Sequence, residues 1–234
     1  MGFLVGFGAI EFLFKGLVPF ESGFPFFLAT VGVAVFAYLC GSVNSAVLVS
    51  RTLFRKDVRE YGSHNAGLTN MLRVFGKTGA VFTLIGDMLK AVVAVLFGLL
   101  LCGYMYGGFI AMFFCVIGHA YPVFFGFRGG KGVLSSATAI LCLSPAAFLA
   151  VIGLFLLMVL TTRIVSVGSI SAAFFFPLFL IAFVPKFISM NLCVLSSSLL
   201  TTLMVIFLHR ANVSRLLRGE EKKLGEKEPP KEEE

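Results

Sequence analysis

The sequence predicts an all-α integral membrane protein, a seven-span helical bundle with its N-terminus outside and its C-terminus cytoplasmic. Three observations carry that class. First, 58% of the 234 residues are hydrophobic and only 13% are charged, with a mean hydropathy of +0.97. A soluble domain is nearer half apolar and a quarter charged, and a globule of this length has too little interior to hide the excess. The same figures exclude disorder. Second, apolar stretches recur at about the 20 residues a bilayer requires. Third, sixteen of the 19 Lys and Arg residues fall in alternate loops, while the loops of the other face offer only Lys186. By the positive-inside rule the basic side is cytoplasmic.

The elements follow in order. Residues 1–27 form an N-terminal extension in which apolar Met1–Phe20 carries Glu11 and Lys15 four apart, then Pro19. It has no basic leader and no small-residue cleavage site, so it reads as an interfacial helix rather than a signal peptide. An eighth span here would bring the N-terminus inside and leave the rest unchanged. Residues 28–218 form the transmembrane domain, with spans at Leu28–Ser50, Gly79–Cys102, Gly107–Phe127, Gly132–Leu143, Pro145–Thr162, Val165–Val184 and Ile188–Leu208. The second span holds Asp87 and Lys90 one turn apart, a costly placement in lipid that reads as a structural pair bracing the site. His119, ahead of Tyr121-Pro122, reads as a packing histidine. The fourth span is short and is parted from the fifth by Ser144-Pro145, a turn signal; a re-entrant fourth segment would make six spans. Residues 219–234 form a charged tail with Pro229-Pro230, expected to be disordered in solvent.

Charge placement narrows the function. Seven of the twelve acids lie in the last fifteen residues, and between Thr30 and Arg210 only Asp57, Glu60 and Asp87 occur. The body is therefore cationic and suits anionic ligands or lipids. Five cysteines stand singly in apolar runs, without zinc-type or disulfide spacing. No metal, no cofactor and no nucleic-acid partner is expected.

Three cytoplasmic segments are more polar than membrane packing needs. The first, Gly62–Asn70 with Arg73, combines small residues, hydroxyls, amides and a guanidinium suited to phosphate. The second, Gly126–Gly132, places Gly129-Gly130-Lys131-Gly132 ahead of an apolar helix, like a phosphate cradle of backbone amides and a lysine. It is not a Walker A loop, which needs Ser or Thr after the lysine. The third is His209–Gly219, whose His209, Arg210 and Asn212 would meet the other two segments if the bundle is compact; the alternative is a basic helix gripping anionic headgroups.

These segments resemble the three cytoplasmic motifs of the bacterial acyl-phosphate:glycerol-3-phosphate acyltransferase family. Gly62–Asn70 resembles Gly-Ser-Gly-Asn-x-Gly-Ala-Thr-Asn, with His64 and Leu68 as departures. Gly129–Ser135 resembles Gly-Gly-Lys-Gly-Val-Ala-Thr, departing at Leu134 and Ser135, and His209–Gly219 matches His-Arg-x-Asn-x-x-Arg-Leu-x-x-Gly throughout. Gly41-Ser42, Asp87-x-x-Lys90, Gly118-His119-x-x-Pro122 and Thr162-Arg163-x-x-Ser166 add further matches in the family's order, from Leu28 to Glu220.

The resemblance implies seven spans and transfer of a fatty acyl group from acyl phosphate to the sn-1 hydroxyl of glycerol 3-phosphate. The products would be lysophosphatidate and inorganic phosphate, in the first acylation of phospholipid synthesis at the bacterial inner membrane. It implies catalytic roles for Ser63, Arg73, Lys131, Ser166 and His209, and substrate contacts from Asn65, Thr69, Asn70, Gly129, Gly130, Gly132, Arg210 and Asn212. The implied partners are glycerol 3-phosphate, acyl phosphate, membrane lipids and the enzyme that makes acyl phosphate. The residues themselves offer no cytoplasmic Ser-His-Asp set and no His-x4-Asp motif, which favours direct attack over a covalent serine intermediate. Two proton acceptors stay open, a substrate phosphate oxygen and His209. The competing class is a carrier for organic phosphates, which would use the same basic loops; no inverted repeat places its site at mid-bilayer.

Overall fold

The computed structural model describes residues 16–18, 23–185 and 190–224. Most of the N-terminal extension, Lys186 and the tail beyond residue 224 lie outside the described residues. Among the described residues the chain forms nine α-helices and no strand: α1 Phe24–Ser42, α2 Ser45–Leu53, α3 Leu68–Cys102, α4 Phe109–Ala120, α5 Val133–Leu143, α6 Pro145–Thr162, α7 Val165–Phe183, α8 Leu192–Leu208 and α9 Arg210–Leu217.

Local chemistry fixes the boundaries. Asn44 caps α2, its Oδ1 accepting from Val47 N at 3.1 Å, and Asn191 caps α8 by accepting from Cys193 N at 2.9 Å. Ser144 ends α5 and caps α6 through Ala147 N at 3.3 Å, with Pro145 at the first helical position, where a missing N–H costs nothing. Helix α3 breaks at Gly76 (φ 68°), a conformation only glycine adopts freely. The segment before that break belongs to the polar loops, and the segment after it runs into the bundle.

Among the described residues, five segments are long and apolar enough to cross a membrane: Phe24–Leu53, Leu68–Cys102, Tyr106–Phe125, Pro145–Thr162 and Val165–Phe183. A sixth is counted if α8 and α9, bent by 52° at their junction, are taken as one span. Helix α5 has 11 residues and reaches only about 16 Å, roughly half of a hydrocarbon core. Each of the seven expected segments contains helix among the described residues, while length and composition support five or six crossings. Leu149, Leu160, Phe174 and Leu178 stand exposed on α6 and α7, as lipid-facing positions do.

Two of the three buried clusters among the described residues hold the long helices together, the third (Ala46, Val47, Val58, Ala66 and Met71) lying under the polar loops. Helix α1 lies on α4 through small residues: Val33 and Ala37 share a buried cluster with Ala111 and Cys115. A Cβ on Gly41 would collide with the Cys115 carbonyl, and one on Gly118 with the Tyr38 carbonyl. Such close backbone approach supplies the van der Waals contact that holds helices together in lipid. The second cluster joins Val95 and Leu99 of α3, Met112 of α4, Ile140 of α5, Val151 of α6, Phe176 of α7 and Val194 of α8. Above it, at one end of the bundle, the polar loops converge.

Candidate active site

The first loop is built around Asp57. Its carboxylate accepts from Arg59 N at 2.9 Å and Arg59 Nη2 at 2.8 Å, and pairs with Arg51 Nη2 at 2.9 Å. The Arg59 hydrogen bonds hold Asp57 well below the usual carboxylate range against the effect of burial, with Arg51 assisting. Arg59 then donates through Nη1 to Phe125 O at 2.6 Å and Arg128 O at 3.0 Å, stapling the first polar loop to the second.

Asn70 is buried, and its side chain is committed to the loop itself. Oδ1 accepts from Ser63 N at 2.9 Å, and Nδ2 donates to Val58 O at 3.1 Å and Tyr61 O at 3.0 Å. Its geometry is that of a residue holding Ser63 in place.

His64, the departure from the family glycine, has φ 57°. The loop keeps the left-handed turn that glycine would favour, and His is among the few side chains found there with some frequency. His64→Gly should relieve about 1 kcal/mol of backbone strain, partly offset by the greater entropy of an unfolded glycine. The expected result is a small rise in thermal midpoint of the purified protein with activity retained. A clear fall would show that the His64 Nδ1 contact to Arg59 O at 3.1 Å outweighs the strain.

The glycines of the second loop work differently from an amide cradle. Gly129 N donates to Ala120 O and Gly130 N to His119 O, each at 3.1 Å. A Cβ on Gly130 would strike the His119 ring and Ala66 O. These amides are already engaged, and the glycines serve close packing that brings the next residue, Lys131, to the site. Neither Gly129 nor Gly130 lines the cavity there, whereas Gly132 does.

A cavity of about 970 Å³ opens where the loops meet. All five residues expected to be catalytic, Ser63, Arg73, Lys131, Ser166 and His209, line it, together with Asn65, Thr69, Asn70 and Asn212. Arg210 does not; its guanidinium lies 4.5 Å from the Phe207 ring centroid and donates to Phe207 O at 3.3 Å. Deeper in, the wall turns apolar with Ile140, Val151, Phe155, Ala172 and Phe176. The site is therefore amphipathic, polar at the loop end and greasy along one arm.

Beneath the second loop, buried Asp87 pairs with Lys90 Nζ at 2.8 Å, and the ammonium also reaches His119 Nδ1 at 2.8 Å and Val43 O at 3.0 Å. His119, whose own carbonyl holds Gly130 N, links this cluster to the loop bearing Lys131.

One carboxylate was not anticipated. Glu221, expected in the solvated tail, folds into the cavity. It accepts from Ser166 Oγ at 2.7 Å and Arg215 Nε at 2.7 Å, and also from Asn212 Nδ2. Burial would raise its pKa, but the bonds from Asn212, Ser166 and Arg215 prevail and lower it. Residues 219–224 are thus ordered against the site, Leu224 N donating to Arg163 O at 2.7 Å. The Lys131 ammonium donates to Asn212 Oδ1. Burial, opposed by Glu221 and reinforced by Arg215 and Arg73, pushes Lys131 down to about 8. Among the described residues no cluster of His, Cys, Asp or Glu could hold a metal.

The family model for glycerol-3-phosphate acyltransferase matches residues 31–219. The chain belongs to the glycerol-3-phosphate acyltransferase family. It is 40% identical to the glycerol-3-phosphate acyltransferase of Clostridioides difficile (strain 630) over 200 residues, covering 83% of this chain and 95% of that one. It is also 40% identical to the enzyme of that name from Neisseria meningitidis (strain FAM18) over 195 residues, covering 82% and 95%. Its fold matches the crystal structure of PlsY (YgiH), an integral membrane glycerol 3-phosphate acyltransferase, in the glycerol 3-phosphate form. That match has a TM-score of 0.73 at 33% identity, covering 84% of this chain and 96% of the other. The lysophosphatidic acid form of PlsY gives 0.70 at 32%. This glycerol-3-phosphate acyltransferase is accordingly an integral membrane enzyme of lipid synthesis that acts on glycerol 3-phosphate.

Proposed function

We propose that the acyl donor is an acyl phosphate and that transfer is to the sn-1 hydroxyl of glycerol 3-phosphate, giving lysophosphatidate and inorganic phosphate. The observation that carries this reading is the amphipathic cavity, where Lys131, Arg73 and Arg215 stand at the mouth of an apolar arm. A soluble phosphate ester and a lipid-borne acyl phosphate would meet there, each phosphate near a cation. We place the site at the cytoplasmic face of the bacterial inner membrane in a seven-span arrangement, N-terminus outside and C-terminus inside, as the basic loops direct. The donor would come from an acyl-phosphate-producing enzyme on that side.

In this scheme the substrate hydroxyl oxygen attacks the acyl carbonyl carbon, and the carbon–oxygen bond to phosphate breaks. An acyl phosphate already carries a good leaving group, so the protein's work is positioning and charge stabilisation. Lys131 and Arg73 hold phosphate oxygens, while Ser63, Ser166 and Asn212 orient them. The hydroxyl proton passes to a substrate phosphate oxygen. His209 is the rival acceptor: its Nδ1 faces Val205 O at 2.7 Å, which leaves the lone pair of a neutral ring on Nε2. His209→Ala decides between them. The expected result is a loss seen mainly in KM; a collapse of kcat with unchanged glycerol 3-phosphate binding would make His209 the base.

Incubating purified enzyme with labelled glycerol 3-phosphate and either acyl phosphate or acyl-coenzyme A tests the donor. Lysophosphatidate and inorganic phosphate should form only with the former. Uptake into vesicles without product would instead indicate a carrier.

The Lys131 pKa makes a pH prediction. Only the ammonium form binds phosphate, and its fraction falls as pH rises through about 8. Bound dianion favours the charged form, so the loss should be read in the free enzyme, as a rise in KM for glycerol 3-phosphate above that pH. A flat KM across the interval would remove Lys131 from phosphate binding.

A further inference from the structure

The apolar arm of the cavity runs between α5, α6 and α7, with Phe148, Val151, Ile152 and Phe155 on its α6 side. On α7 its wall comprises Val165, Ser166, Ser169, Ala172, Ala173 and Phe176, one stripe of the helix surface at three- and four-residue spacing. The next residue along that stripe, Leu180, is packed into the core with Leu143 and Val194. On α5 the wall runs from Val133 through Ser136 and Ala137 to Ile140. Phe176 and Ile140 are both buried and belong to the same core cluster, backed by Phe109 and Met112. From Ser166, beside the cations, to Phe176 is ten residues of helix, about 15 Å.

We propose that Phe176, with Ile140, is the floor of this arm and sets the longest acyl chain the enzyme accepts. This rests on the acyl-transfer reading above. An acyl carbonyl held near Lys131 and Ser166 directs its tail down the stripe, and the tail ends against a packed aromatic ring. A chain that stops short leaves apolar wall unfilled, and one that is too long must displace Phe176 from a close-packed core. An apolar pocket discriminates a single methylene by about 10–200-fold, which suffices to give a sharp optimum.

The experiment measures kcat/KM for saturated acyl phosphates graded in length, at saturating glycerol 3-phosphate. Phe176→Ala should raise the rate with chains longer than the wild-type optimum by about tenfold relative to that optimum. Ala173→Phe, about one helical turn short of Phe176, should shift the optimum to shorter chains. The backbone of Ala173, which accepts from Thr202 Oγ1 at 2.9 Å, is unaffected by that change. KM for glycerol 3-phosphate should not change in either variant, since the polar mouth is untouched. The proposal is overturned if folded variants keep the wild-type ranking or scale all chains equally. Should Phe176→Ala fail to fold, Ala173→Phe and the milder Phe176→Leu decide the question by the same ranking. Thermal stabilisation by lysophosphatidates of graded length gives the same ranking without any donor. A wild-type enzyme that rejects every acyl phosphate would therefore sink the donor reading and leave the floor to stand or fall on this second readout.

Discussion

Replacing Lys131 by alanine should cut kcat/KM by about 10²–10³-fold or more, the scale on which loss of one preorganised charge-stabilising group is felt, while the protein still folds. The argument is electrostatic. Lys131 sits in the cavity against Asn212, and burial with the neighbouring Arg215 and Arg73 depresses its pKa to about 8. A site that holds several cations before substrate arrives is strained in charge, and a phosphate dianion relieves that strain. Without the ammonium, Asn212 Oδ1 loses its donor, and Glu221 keeps Arg215 as its ion-pair partner. Lys131→Arg should recover little, because a planar fork does not replace a compact ammonium at the end of a tightly packed glycine loop. Product formation and thermal unfolding, measured side by side, check this. Turnover within tenfold of the parent in Lys131→Ala would show that Lys131 is a bystander.

The membrane class was legible because it depends on sums: composition and stretch length survive any error at a single residue. The convergence of three loops was legible because the polar residues there served no lipid-facing or core role, and family resemblance tied them to one chemistry. Span number was less so. Helix α5 is only 11 residues long, and the α8–α9 axis bends by 52° beside His209; hydropathy reads neither depth nor direction. The glycines show the same limit. Gly129-Gly130 has the composition of an amide cradle, yet a loop's sequence does not say whether its N–H groups face a ligand or a neighbouring carbonyl, and here they bond Ala120 and His119.

Glu221 was hidden for a related reason. It lies in a stretch where acids are dense, and charge density there argues for solvent. The distinguishing signal was local: Glu220-Glu221 directly follows the third motif, separated from the later acids by Lys222-Lys223. In sequence Arg59 is one of sixteen basic residues in the alternate loops, yet its bonds to Phe125 O and Arg128 O join two of the three polar segments. Long-range hydrogen bonds of this kind are set by the tertiary fold and leave no periodic trace.

The second large effect is expected at Asp87. Asp87→Ala should destabilise the enzyme by about 3–5 kcal/mol, the cost of leaving a buried charge without its partner. Lys90 Nζ lies 2.8 Å from Asp87 Oδ1 with both side chains almost fully buried, so removing the carboxylate leaves the ammonium without its counter-charge. Substituting both, as Asp87→Leu with Lys90→Met, should recover only part of that loss. Lys90 also serves His119 Nδ1 and Val43 O, and those acceptors would be left without a donor. The single variant should lose activity beyond its loss of stability, since His119 O and Ala120 O anchor the two glycines that present Lys131. Denaturant titration of the detergent-solubilised variants gives the stabilities, and acyl transfer at a temperature where each is folded gives the activities. If Asp87→Ala folds normally and works normally, the buried cluster neither stabilises α3 against α4 nor positions the lysine loop. If the double variant is instead fully restored in both, the pair is a replaceable filler, and the glycine loop is held by its backbone bonds alone.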